Sequence, residues 1–127
     1  MIDIIDSRDV TIDGITVRVI ITPDADCSPA EFDCYSEADT AAFQAGAWQF
    51  VGMIVRHEST RIETSLWAIE WGDLPGAGGT HLDLDHYLSA PMIADYAGNM
   101  VRAEIIPTMH ALRDALAELP LDGAVRA

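Results

Sequence analysis

Lysine is absent from this chain, whose seven cationic side chains are all arginines, set against 21 acids for a formal charge of −14 over 127 residues. That imbalance disfavours direct binding to nucleic-acid backbones and to anionic membranes, and it favours contact with a basic surface. The missing lysine also disqualifies Gly76-Ala77-Gly78-Gly79-Thr80 as a nucleotide-phosphate cradle. Such a loop sets a lysine against the phosphates, and here Asp73, Asp83 and Asp85 would repel them instead. Long apolar runs are missing too, and none approaches the roughly 20 residues of a membrane-spanning helix. Nor does a basic-then-apolar leader open the chain, because residues 1–10 are broken by Asp3, Asp6, Arg8 and Asp9. The expectation is a soluble protein of the bacterial cytoplasm. Cysteine is scarce: Cys27 and Cys34, with six residues between them, match neither a redox Cys-x-x-Cys nor a zinc pair and read as two ordinary thiols.

The charge that is present is unevenly placed. Residues 1–40 hold ten acids against Arg8 and Arg18, a net of −8, whereas residues 41–80 carry a net of −2 and residues 81–127 a net of −4. Asp24, Asp26, Glu31, Asp33, Glu37 and Asp39 form the candidate acidic patch, with no arginine among them. Solubility, a high-salt cytoplasm or the codon usage of a GC-rich genome would produce the same composition without any partner. A local negative field aimed at a basic partner is the functional alternative.

Half of the residues are hydrophobic, enough for one domain spanning residues 1–127 with a core of its own. Residues 1–22 read as an N-terminal hairpin, turning at Asp13-Gly14, with Ile15, Val17, Val19 and Ile21 alternating on one face. An acidic, proline-containing loop follows over 23–35, expected to be dispensable for folding, and then a short helix over 36–46, capped by Ser36. Residues 47–71 read as a second pair of strands. Alternation puts Trp67, Ile69 and Trp71 on one face, and it puts Glu63 and Glu70 on opposite faces. Residues 72–90 read as a glycine- and proline-containing loop, and 91–119 as a long helix, kinked at Pro107 or divided there into two helices in series, and closed by Pro120 and Gly123. Its apolar seam continues through Ile105, Met109, Leu112, Leu116 and Leu119 with spacing 4-3-4-3 and is expected to face the sheet. The fold class is therefore α+β: an antiparallel sheet of four or five strands, a short helix between strand pairs, and a long C-terminal helix on one face.

Trp48, Val51-Gly52 and Val55, then Ser65-Leu66-Trp67-Ala68-Ile69-Glu70, Tyr87-Leu88 and an alanine-rich C-terminal helix resemble small uncharacterised proteins of actinobacteria and their phages. The resemblance spans roughly residues 48–119 and rests on aromatic and packing positions. It implies a family without implying an activity, and it raises the weight of an interaction protein acting on host machinery.

The densest set of metal-ligand residue types is His81-Leu82-Asp83-Leu84-Asp85-His86, similar to the His-x-His-x-Asp-His run of metallo-β-lactamase-like hydrolases, with Asp83 where the second histidine would be. In an extended segment His81, Asp83 and Asp85 would point the same way, a donor set that suits zinc, manganese or iron. Those hydrolases need further histidines downstream, where this chain offers only His110. A solvated loop anchored by Leu82 and Leu84, with Asp85 or Ser89 capping the next helix, is the preferred reading of the run. Trp71, flanked by Glu70, Gly72 and Asp73, is the candidate aromatic contact among residues otherwise expected in the core.

Three roles follow. The leading one is a non-enzymatic acidic protein that needs no cofactor and binds a basic host protein, in the manner of DNA-mimicking inhibitors of restriction or CRISPR-type defences. A small metal-binding module or metal-dependent hydrolase built on His81, Asp83, Asp85 and His86 is the second. The third is a homo-oligomeric phage component that buries its aromatic strand face and Met92, Met100 and Met109 against another copy.

Overall fold

Residues 3–89 and 91–119 are described by a computed structural model. Four strands, β1 (Asp6–Ile12), β2 (Ile15–Pro23), β3 (Trp48–Arg56) and β4 (Glu63–Gly72), pair antiparallel in chain order. Asp13 and Gly14 both take positive φ, 50° and 80°, which is what a two-residue turn matched to strand twist requires, and Ile12 pairs with Ile15 across it.

Alternation then divides the side chains. On the first face Val17, Val19 and Ile21 of β2 lie beside Val55 and Met53 of β3, all of them buried. This face is covered by α2 (Leu84–Ser89), α3 (Pro91–Met100) and a π-helical turn (Val101–Ile105), from which α4 (Ile106–Ala117) continues. Leu84, Tyr87, Ala97, Met100, Val101 and Ile105 complete that core. Truncating Leu84 or Ile105 to alanine in such close packing costs roughly 2–5 kcal/mol.

The second face is not left wet. Residues 24–46, including α1 (Glu37–Gln44), fold back over its Trp48 and Phe50 end. Tyr35 and Phe43 stand 5.2 and 5.1 Å from the Trp48 ring, and Phe32 stands 5.5 Å from Phe50. Buried Trp48 has one polar atom to satisfy, and its Nε1–H donates to the Asp39 carbonyl at 2.8 Å. Beyond this cover, the second face carries buried Ile20, Thr22 and Ile54 with Arg18, Arg56, Glu63, Ser65 and Trp67 around them.

Four expectations change. β4 is bulged: Met53 pairs with Leu66 and Val51 with Ile69, so Trp67 and Ala68 together oppose Gly52, and Ala68 takes φ 58°. The extra residue reverses the alternation, so Trp67 points to the opposite face from Ile69 and Trp71, and Glu63 and Glu70 share the second face. Residues 72–89 form short structured pieces rather than a plain loop. Gly72 and Leu82 exchange backbone hydrogen bonds of 2.7 and 2.9 Å, Pro75–Ala77 makes a 3₁₀ turn, and α2 starts at Leu84, each piece too short to show a period. The proline effect in the last helix falls one turn early. Pro107 lacks the N–H for a regular turn, and the chain widens just before it, the Ile106 N–H reaching Val101 O. Lastly, the apolar seam faces the core only as far as Ile105. Met109, Leu112, Leu116 and Leu119 are exposed, Leu116 at 63%. Here Met109, Leu112 and Leu116 line an open pocket together with Arg113 and with Ser59 and Thr60 of the β3–β4 turn. Pro120, Gly123 and the side chain of Met92 lie outside the described residues.

Candidate functional site

Five of the seven arginines are paired to acids outside the acidic segment. Arg18 pairs with Asp9 at 3.1 Å, Arg56 with Glu63 at 2.8 Å, Arg102 with Asp13 at 2.9 Å and Arg113 with Asp114 at 3.8 Å, while Arg8 bonds Asp85. Among the described residues, none of the six acids from Asp24 to Asp39 meets an arginine. Their segment packs as one layer on the second face, so the net negative charge of residues 24–39 stands on one side of the sheet without internal compensation.

These six acids divide by what they hold. Asp39 is only 6% exposed and belongs to the scaffold rather than to any contact surface. It accepts the Ser36 amide at 3.1 Å and the Gly76 amide at 2.8 Å, while its own amide donates to Ser36 Oγ, a reciprocal cap that also fastens the 75–77 turn to α1. The Ser36 amide, then that of Gly76, holds its carboxyl below the ordinary value of 3.8 against the opposing effect of burial. Asp24 accepts the Ala68 amide at 3.0 Å, supplying a partner at the β4 bulge. Glu31 accepts the Ser28 amide at 2.6 Å in a second capping box. Part of the loop expected to be dispensable is therefore structural. Asp26, Asp33 and Glu37 are exposed and make no hydrogen bond or ion pair among the described residues. They are the acids available to a partner.

Within the same layer, the Tyr35 hydroxyl donates to Glu70 Oε2 at 2.6 Å, and burial first, then that bond, raises the phenol above its ordinary 10. Cys27 is half-buried and Cys34 exposed, both free thiols, and burial raises the Cys27 thiol with Asp24 and Glu31 adding to the effect.

His81, Asp83, Asp85 and His86 do not converge as a set, because the segment turns helical from Leu84 instead of running extended, although His81 Nε2 and Asp83 Oδ2 come within 4.0 Å. Asp83 Oδ1 accepts the His86 amide at 2.9 Å at the start of α2, and Asp85 bonds Arg8. His81 Nδ1 lies 2.7 Å from Asp73, whose hydrogen bond raises the imidazole above its ordinary 6.5, and the His86 ring stands edge-on to Tyr87. Among the described residues no group of three or more His, Cys, Asp or Glu side chains is placed to hold a metal ion, and no helix is long and apolar enough to cross a membrane.

Trp71 is half-buried against the core, and it is Trp67, at 51%, that is the exposed tryptophan. Sequence reading misplaced Trp67 because strict alternation hides a bulge. A single signal was available: an isolated glycine, Gly52, inside a strand otherwise rich in large side chains. No family model matches this chain, and no curated protein and no solved structure is similar to it.

Proposed function

We propose that this is a non-enzymatic acidic interaction protein, an accessory protein of phage or actinobacterial type acting in the cytoplasm of a bacterial host. Its layer over residues 24–39 docks on the basic surface of a nucleic-acid-binding protein, where DNA would otherwise lie. One observation carries this reading: the six acids of that layer meet no arginine among the described residues, although five arginines are paired to acids elsewhere. Carboxylates left uncompensated on one side attract arginine and lysine side chains as phosphates do, which is the basis of a DNA-mimicking inhibitor of restriction or CRISPR-type systems. The test is capture from an actinobacterial lysate on the immobilised protein, followed by competition with duplex DNA for each captured protein. A DNA-binding protein released by duplex DNA, and not retained by Asp26→Asn/Asp33→Asn/Glu37→Gln, supports the proposal. Equal retention by that variant contradicts it.

Self-association is a second reading, favoured by the exposed Met109, Leu112, Leu116 and Leu119, whose 3-4-3 spacing is that of a helix–helix seam. The occupant on this reading is a second copy, meeting α4 against α4.

A further inference from the structure

The uncovered end of the second face is a shaped groove. It encloses about 500 Å³ and is lined by Asp3, Thr22, Ile54, Glu63, Ser65 and Trp67. Pro23 and Ala25 line it as well, so the groove is continuous with the acidic layer that begins at Asp24.

Trp67 is held there in a fixed pose. Its Nε1–H donates to Ser65 Oγ at 3.1 Å, and its ring lies so close over Gly52 that a Cβ on that residue would stand 2.2 Å from the indole. An indole half open to water and fixed from two sides is a ready platform for a ligand. The lining is acidic: Asp3 and Glu63 contribute two carboxylates and no basic side chain lines the groove. Arg56 engages Glu63 through Oε2 alone, so the other oxygen is unclaimed by that bond.

An aromatic face beside carboxylates selects an organic cation. The indole attracts it through its π-cloud, and the carboxylates add charge-assisted hydrogen bonds. A planar guanidinium stacks on an indole and forks toward a carboxylate at the same time, which a compact ammonium does not. We infer that the Trp67 groove receives an arginine side chain of the basic partner. This inference rests on the docking function proposed above and adds to it the residue type the partner presents.

The probe is a glycine-flanked peptide carrying a single arginine, titrated into ¹⁵N-labelled full-length protein while the Trp67 indole N–H resonance is followed. Matched peptides carry lysine, or citrulline, which keeps the shape of arginine without its charge. A saturable Trp67 shift with arginine, weaker with lysine and absent with citrulline, is expected. Trp67→Ala removes the site, and should that variant fail to fold, Asp3→Asn weakens the arginine peptide by about threefold. Equal shifts with arginine and citrulline, a lysine response as strong as the arginine one, no shift at all, or no effect of Asp3→Asn each overturns the inference. Its failure is separable from that of the acidic layer. Asp26→Asn/Asp33→Asn/Glu37→Gln leaves the groove response intact while abolishing partner capture, and a silent groove beside intact capture removes the arginine site alone.

Discussion

Tyr35 and Glu70 are joined by a 2.6 Å hydrogen bond that ties the acidic layer to the edge strand of the sheet. From the other face the Tyr87 hydroxyl donates to the backbone carbonyl of the same Glu70, so this one residue anchors both the acidic layer and the helical layer. Loss of the outer bond in Tyr35→Phe is expected to cost about 1 kcal/mol in urea unfolding and to raise amide exchange across residues 32–36. The alkaline limb reports it as well. Both phenols have raised folded values, Tyr87 to about 12 through burial and then the charge of Glu70, so their stabilisation is complete below pH 10 and lost as the pH rises through the folded values. Tyr35→Phe should lose less stability over that range than the parent. An identical alkaline limb and unchanged exchange would mean that the bond does not hold the layer.

Gly52 and Trp67 are coupled by space alone. Adding a methyl in Gly52→Ala forces the indole off the sheet, with an expected cost of about 1–3 kcal/mol and a changed near-ultraviolet dichroism. In a Trp67→Ala background the same change should be close to neutral, and a double-mutant cycle reads the difference. Additive effects would place the ring elsewhere.

Asp39 supplies an acid-sensitive fastening. Because its folded value is lowered by the Ser36 and Gly76 amides, its contribution is present above pH 3.8 and lost as the pH falls through the lower folded value. Asp39→Asn should therefore be less stable than the parent at neutral pH, with the gap closing in acid. A constant gap for Asp39→Asn at every pH would mean that ionisation plays no part.

The exposed seam of α4 gives the fourth prediction. Leu112 and Leu116 are 53% and 63% exposed, so Leu112→Glu/Leu116→Glu should shift stability by no more than about 0.5 kcal/mol per site. If α4 pairs with a second copy, sedimentation shows a concentration-dependent dimer for the parent and a monomer for the variant. A parent that is monomeric at every concentration rejects self-association.

Much of the fold was legible because the signals were local. Asp13-Gly14 dictates its turn, Val17, Val19 and Ile21 announce a strand with one face in the core, and Ser36 and Asp39 mark the start of α1 through a cap that forms in place. What stayed hidden depends on contacts far apart in sequence. The bulge at Trp67 and Ala68 has its amide partner in Asp24, 44 residues earlier, so no window on β4 alone reveals it. The second-face cover by residues 24–46 is similar, since Phe32, Tyr35 and Phe43 look like scattered aromatics until Trp48 and Phe50 bring them together. The acidic patch was visible as composition. Which acids are free was not, because Asp39 and Asp26 differ only in the amides that reach them. Likewise the apolar period of α4 is real, but periodicity says which residues share a stripe and not whether the sheet extends far enough to cover it.

Salt titration of the captured complex decides whether the acidic layer binds by charge. Dissociation constants measured between about 50 and about 200 mM salt should rise steeply for the parent protein, and the slope should flatten in Asp26→Asn/Asp33→Asn/Glu37→Gln. An affinity that holds constant across that range, or a slope untouched by the three substitutions, would contradict docking through uncompensated carboxylates.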